Sequence, residues 1–170
     1  GDTAIFIPAP GGDGGNDPFV IVDAYGLQGV GSGHYSASNF RLGQNINLAS
    51  AAGWNGGEGF RPIGVQRFTS EPVNAFGGTL DGAGFTISNL TQHLSSLDGW
   101  YYAGLFGVTD NAWIHDLTLS GVNITASADS GPISAGGLIG YASDTYVDYV
   151  TIAGSLSGSV SGSTGRFGGL

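Results

Sequence analysis

Ala103-Gly104-Leu105-Phe106-Gly107-Val108 returns 33 residues later as Gly136-Gly137-Leu138-Ile139-Gly140-Tyr141, and Gly168-Gly169-Leu170 begins the stretch a third time. The residues after each copy keep phase: Ile114 and Leu117 come after Leu105 as Val147 and Val150 come after Leu138. A unit that repeats at such a period buries its apolar face by stacking on its neighbours, the mark of a solenoid. Superposing the units predicts columns: Ile87, Ile114 and Val147; Leu90, Leu117 and Val150; Thr91, Thr118 and Thr151; Leu105, Leu138 and Leu170. Asn89 and Asp116 are expected to share a turn column that Tyr149 breaks. The repeat-structural residues read from this phasing are Gly104, Leu105, Gly107, Gly137, Leu138 and Gly140, together with the turn pair Asp81-Gly82. The third copy is cut inside its motif, which implies a longer chain or an end covered by a partner.

Composition agrees with short strands and tight turns. Glycine supplies 33 of 170 residues, charged residues only 10 %, and lysine is absent. Helix-forming Glu and Lys are too scarce for a bundle. Val, Ile, Leu and Phe above a Gly, Ser, Thr, Asn and Asp surface suit strands. The net charge of −9 argues against nucleic acid, whose recognition rests on Lys and Arg meeting phosphate, and against anionic membranes. No apolar run reaches the ~18 residues of a spanning helix, so membrane insertion is not expected. The absence of Cys and Met fits a secreted protein.

Working outward toward the N-terminus, Thr3 to Ile7 reads as an edge strand, a pairing arm or a frayed end. Residues 1–17 form an arm and Gly-rich linker, and residues 18–170 the repeat domain. Within the linker, Asp13, Asn16 and Asp17 stand as candidate calcium ligands beside the plain linker reading. Pro18 to Val22 reads as a strand. Ala24 to Val30 predicts one helical turn capped by Asp23, with Leu27 and Val30 buried. Phe40, Leu42, Ile46 and Leu48 share one parity and hence one strand face.

The order Trp54, Arg61-Pro62-Ile63-Gly64, Gly78-Thr79-Leu80-Asp81-Gly82-Ala83-Gly84-Phe85-Thr86-Ile87-Ser88-Asn89-Leu90 and Gly104-Leu105-Phe106-Gly107 resembles the GLUG-type repeats of bacterial surface proteins. The resemblance runs from about Pro18 to Leu170. It departs from the family's pattern at Asn45 and Asn47, where a carboxylate is frequent, and at Phe85, where a polar residue is usual. It implies an all-β fold, a right-handed parallel β-helix (solenoid), and the short helix read at Ala24 to Val30 is expected to cap its open N-terminal end. It also implies a large secreted or surface-anchored bacterial protein, many of that family being adhesins.

Candidate chemistry is thin. Asp116, Asp144 and Asp148 are the carboxylates a sugar-cleaving enzyme on this scaffold would draw on, but no basic residue stands between Arg67 and Arg166 to neutralise a uronate. His34, His93 and His115 have no metal-ligand spacing. Trp100, Tyr101, Tyr102 and Trp113 are the candidate contact surface for a glycan, a cell-surface ligand or neighbouring copies, beside the plainer reading that they pack as the foot of their loop. The expected role is a non-catalytic extracellular module of an adhesin or surface filament, without a resident cofactor. A carbohydrate-active enzyme and a self-assembling filament subunit are the alternatives.

Overall fold

A computed structural model describes residues 12–32, 35–65 and 74–169. The arm at Thr3 to Ile7, His34, most of the loop 69–75 and Leu170 lie outside the described residues. The described chain is all-β, and each pairing between its strands is parallel.

Strand β1 (Phe19–Ile21) leads into the short helix α1 (Ala24–Gly29). Asp23 caps that helix by accepting from the Gly26 amide at 2.7 Å, and Leu27 and Val30 are buried beneath it. Next come β2 (Asn39–Leu42), β3 (Ile46–Asn47), β4 (Thr79–Asp81), β5 (Thr86–Ser88) and β6 (Thr91–Ser95). The repeat region holds β7 (Tyr102–Ala103), β8 (Phe106–Asp110), β9 (Trp113–Ala128), β10 (Ile133–Gly136), β11 (Ile139–Ser143), β12 (Tyr146–Val160) and β13 (Gly165–Gly168). The largest sheet joins β1, β2, β4, β9 and β12 through one end of β9, while β5, β3 and β6 join β9 further along. Two smaller parallel sheets are β13-β10-β7 and β11-β8.

The 33-residue phase appears as backbone pairing. Phe106 faces Ile139, and Ile114, Leu117 and Thr118 face Val147, Val150 and Thr151. Three predicted columns need correction one level down, those of Ile87, Leu90 and Thr91, and Leu90 lies beside Val122 rather than Leu117. Ile114 faces Leu80 rather than Ile87, and Ile87 faces Leu119. Thr91 faces Asn123 rather than Thr118, and the Asn123 amide bonds the carbonyl of Leu90. The expected columns match Asn89-Leu90-Thr91 to Asp116-Leu117-Thr118, 27 residues on, whereas the strands pair 34 residues apart at Asp81 and 32 apart from Thr86 onward. Four residues, Gly82 to Phe85, connect β4 to β5 where Asp116 and Leu117 suffice between the matching parts of β9. The Gly84 amide bonds the Asp116 carbonyl within that turn, and a side chain on Gly82 would strike the same carbonyl.

Left-handed residues mark the places where the long strands bend. Asn111 precedes β9 as Asp144 precedes β12, and Asp116 and Tyr149 stand at equal places between paired neighbours. Asn89 and Gly121 form a third corner, the Asn89 amide bonding the carbonyl of Ser120. Asn89 and Asp116 therefore sit at separate corners. Asn and Asp tolerate this backbone region because short polar side chains bond locally. Tyr149, at φ 52°, is the costly member of the set.

One continuous core runs between the sheets. Its spine is a row of rings, Phe19–Phe40–Phe76–Phe106, with centroids 5.7, 6.2 and 5.1 Å apart. Aliphatic side chains fill the rest, Leu80, Ile87, Leu105, Ile114, Leu119, Ile124 and Leu138 all being fully buried. Val147, Val150, Ile152 and Leu156 of β12 pack against this core but remain partly open, since among the described strands β12 pairs with β9 alone.

Candidate functional site

The outer face of β4, β9 and β12 carries the side chains that alternation turns away from the core. Pairing sets Thr79, Trp113 and Tyr146 in one row and Asp81, His115 and Asp148 in the next, with Arg41 beside Asp81 on β2. Trp113 is 46 % exposed, Tyr146 73 % and Tyr149 88 %, whereas the core-facing Ile114 between Trp113 and His115 is wholly buried. The Trp113 indole N–H donates to Asp148 Oδ2 at 2.8 Å, and its ring stacks on the His115 imidazole at 4.1 Å between centroids. His115 Nδ1 lies 2.7 Å from Asp116 Oδ2 and 3.7 Å from Asp81 Oδ1. Asp81 Oδ1 is itself held by the Ala83 amide at 2.7 Å. The result is an aromatic shelf bordered by three carboxylates. Such a surface offers apolar ring faces and hydrogen-bond acceptors together.

The other expected contact residues divide. Trp100 does not belong to the surface. It is buried, its N–H donates to Glu58 Oε1 at 3.0 Å, and the Arg61 guanidinium lies 5.6 Å from its ring. The tight turn at Gly99, with φ 84°, swings the indole into the core. Tyr101 and Tyr102 are half-buried, and Tyr102 packs 5.9 Å from Tyr141 on β11. They form a separate tyrosine patch. Of the carboxylates weighed for catalysis, Asp148 is held by Trp113, Asp116 meets His115, and Asp144 Oδ2 accepts from Ser143 at the corner before β12.

Asp13 and Asp17 form a closed turn. The Asp13 and Gly14 amides bond the Asp17 carbonyl, Asp13 Oδ1 accepts from the Gly15 amide, and Asn39 ties the turn to β2 through the carbonyls of Gly14 and Gly15. The segment from residue 12 to 17 is therefore anchored to β2. Among the described residues, three metal-ligating side chains of the His and carboxylate type converge at Asp81, His115 and Asp116.

The repeat residues are structural. Leu105 and Leu138 are fully buried. A Cβ on Gly107 would stand 2.4 Å from the carbonyl oxygen of Gly64, and one on Gly140 3.0 Å from that of Gly107. Ile63 bridges Phe106 in parallel, so Pro62-Ile63-Gly64 is an earlier, diverged copy of Leu105-Phe106-Gly107. Gln92 is a residue that periodicity does not reveal. Fully buried on the core side, its Nε2 donates to the carbonyls of Phe60 and Gly104, at 3.0 and 2.7 Å, and its Oε1 accepts from the Gly104 amide at 2.9 Å. The signal in the sequence is its parity: in Thr91-Gln92-His93-Leu94 it shares the inward side with Leu94.

A second polar region is a shallow groove lined by His93, Ser95, Thr125, Ser127, Ser157 and Ser159 on neighbouring strands. Asp129 stands at its end. Hydroxyl donation from Ser127, and then from Ser161 and Ser95, holds the Asp129 carboxyl below the usual carboxylate range. A depressed folded-state pKa adds stability above the ordinary carboxylate value, and this is lost as pH falls through the folded-state value. Asp129→Asn should therefore be less stable than the parent at neutral pH, with the gap narrowing on acidification, as read from urea midpoints across pH 7 to 3. A gap that does not change with pH rules this out.

No protein-family model matches the chain, and no solved structure matches it. The chain is similar to Halomucin from Haloquadratum walsbyi, with 34 % identity over 146 residues that make up 84 % of this chain. Those residues span only about 2 % of the length of Halomucin.

Proposed function

We propose that the chain is a non-catalytic, extracellular structural and adhesive module: a right-handed parallel β-helix of GLUG-like repeats that meets a glycan or cell-surface ligand through the Trp113 shelf. The observation that carries the reading is the register of exposed aromatic and carboxylate side chains across β4, β9 and β12. Exposed Trp and Tyr faces beside fixed acceptors suit the apolar faces and hydroxyl groups of sugars. Tyr149 supports it independently. A largely exposed aromatic held at positive φ costs folding energy and buries little in return, a pattern that belongs to contact surfaces.

The wound form is supported by the uniformly parallel strand pairing, the 33-residue offset and the corners at Asn111/Asp144 and Asp116/Tyr149. Parallel crossovers are right-handed in nearly all proteins. Helix α1 then covers the first coil, with Tyr25 packed 5.0 Å from Trp54 and Gln28 bonded to both backbone groups of Arg61. The extracellular setting is supported by the likeness to Halomucin, by the acidic balance and by the lack of sulfur. Among the described residues no helix is long and apolar enough to cross a membrane.

A glycan array tests the contact. The intact chain should bind a defined subset of glycans, and Trp113→Ala should weaken that binding about tenfold or more with unchanged circular dichroism. Binding that survives in Trp113→Ala together with Tyr146→Ala removes the shelf from the account.

A further inference from the structure

We propose that Asp81, His115 and Asp116 form a shallow site for a first-row divalent cation of the zinc type, on the outer face of β4 and β9. The inference does not depend on the glycan reading. One donor atom from each residue lies within 4.8 Å of the other two. Zinc bonds imidazole nitrogen and carboxylate oxygen at about 2.0–2.2 Å, so a single ion reaches all three after small side-chain rotations. The donor set, one nitrogen with two carboxylates, favours zinc and its neighbours over calcium, which takes six or more oxygens.

The positions are fixed by backbone rather than by chance surface contact. Parallel pairing places Asp81 and His115 side by side. The left-handed corner at Asp116, φ 53°, turns the chain immediately after His115, and its carboxylate lies against the imidazole. Around these donors stand orienting partners: the Ala83 amide on Asp81 and the Trp113 ring stacked on His115. Such outer contacts set ligand direction in metal sites. Asp148, next in the row beyond His115, adds negative charge, and Arg41, beside Asp81 on the far side, opposes it. Nδ1 of His115 and Oδ2 of Asp116 are at proton-sharing distance. The cation takes the Nδ1 lone pair while the imidazole carries its N–H at Nε2, so the His115–Asp116 hydrogen bond is exchanged for bonds from both groups to the ion. Water fills the remaining coordination positions, because Asp116 is half-exposed.

Isothermal titration of the chelator-stripped chain with zinc chloride provides the test. The expected result is one ion per chain. His115→Ala and Asp81→Asn should each weaken binding about tenfold or more, while His93→Ala leaves it unchanged. In NMR spectra, zinc should shift the His115 imidazole signals and spare those of His93. Absence of binding, binding equally weakened by His93→Ala, or binding untouched by His115→Ala and Asp81→Asn overturns the proposal and leaves a charge row of Arg41, Asp81, His115 and Asp148 only.

Discussion

Alanine in place of Phe76 is expected to cost about 3–5 kcal/mol of unfolding free energy, among the largest losses available to a single substitution in this chain. Phe76 is the ring that links Phe40 on one side to Phe106 on the other. Its backbone is equally committed, with its amide bonding the Val108 carbonyl and its carbonyl accepting from the Asp110 amide. Removing the ring leaves a void between neighbours whose strands are held at fixed spacing, so the cavity cannot collapse cheaply. Thermal unfolding should shift down by about 10 °C for a domain of this size. Phe76→Leu should recover most of the loss. A loss below about 1 kcal/mol for the alanine variant would show that the ring row does not carry the core.

Gln92→Leu is expected to cost about 2–5 kcal/mol, though it trades a polar group for an apolar one of similar size. The Gln92 amide satisfies the Gly104 amide, the Gly104 carbonyl and the Phe60 carbonyl inside the core. Leucine satisfies none of them, and each orphaned buried group costs about 1–3 kcal/mol. A hydrophobic substitution that destabilises an apolar core separates this account from one in which Gln92 merely fills space. Equilibrium denaturation in urea measures the difference, and a stabilised Gln92→Leu variant would refute the clamp. Gln92 also gives Gly104 its role. Gly104 sits at φ 146°, its two backbone groups turned to the glutamine side chain instead of to a neighbouring strand.

The strand content, the inward parity of Phe40, Leu42, Ile46 and Leu48, the Asp23-capped helix and the pairing of the last two repeats are legible in the order of residues. Each rests on local periodicity or on a strict 33-residue offset. The misplaced rows come from matching Asn89-Leu90-Thr91 to Asp116-Leu117-Thr118, 27 residues on, where the strands pair 34 residues apart before the turn Gly82 to Phe85 and 32 after it. Similar tripeptides at different corners suggest a false phase, and the backbone pairing supplies the true one. Pro62-Ile63-Gly64 is hidden as a repeat copy because a longer insertion separates it from Leu105-Phe106-Gly107.

Of the candidate site, Trp113 is legible through its place before Ile114, while Trp100 is not. Aromatic residues in a glycine-bearing loop read as exposed until a turn such as the one at Gly99 shows which way the chain re-enters the core. Asp81, His115 and Asp116 cannot be read together from the sequence. The spacing between Asp81 and His115 has no meaning on one strand and acquires it only when β4 and β9 lie side by side.

The central claim is that successive units stack in parallel and in register, because every outer-face constellation depends on it. The chain has no cysteine, so paired cysteines can be placed without interference. Thr125 and Ser157 face one another across β9 and β12, whereas Ser159 is displaced by two residues along β12. Cysteines at 125 and 157 should stand about 4.8 Å apart and oxidise readily, while cysteines at 125 and 159 should stand about 8 Å apart, beyond disulfide reach. Cross-linking measured by gel shift under mild oxidation should thus be near complete for Thr125→Cys with Ser157→Cys and minor for Thr125→Cys with Ser159→Cys. Equal yields, or a preference for the displaced pair, would contradict the in-register stack.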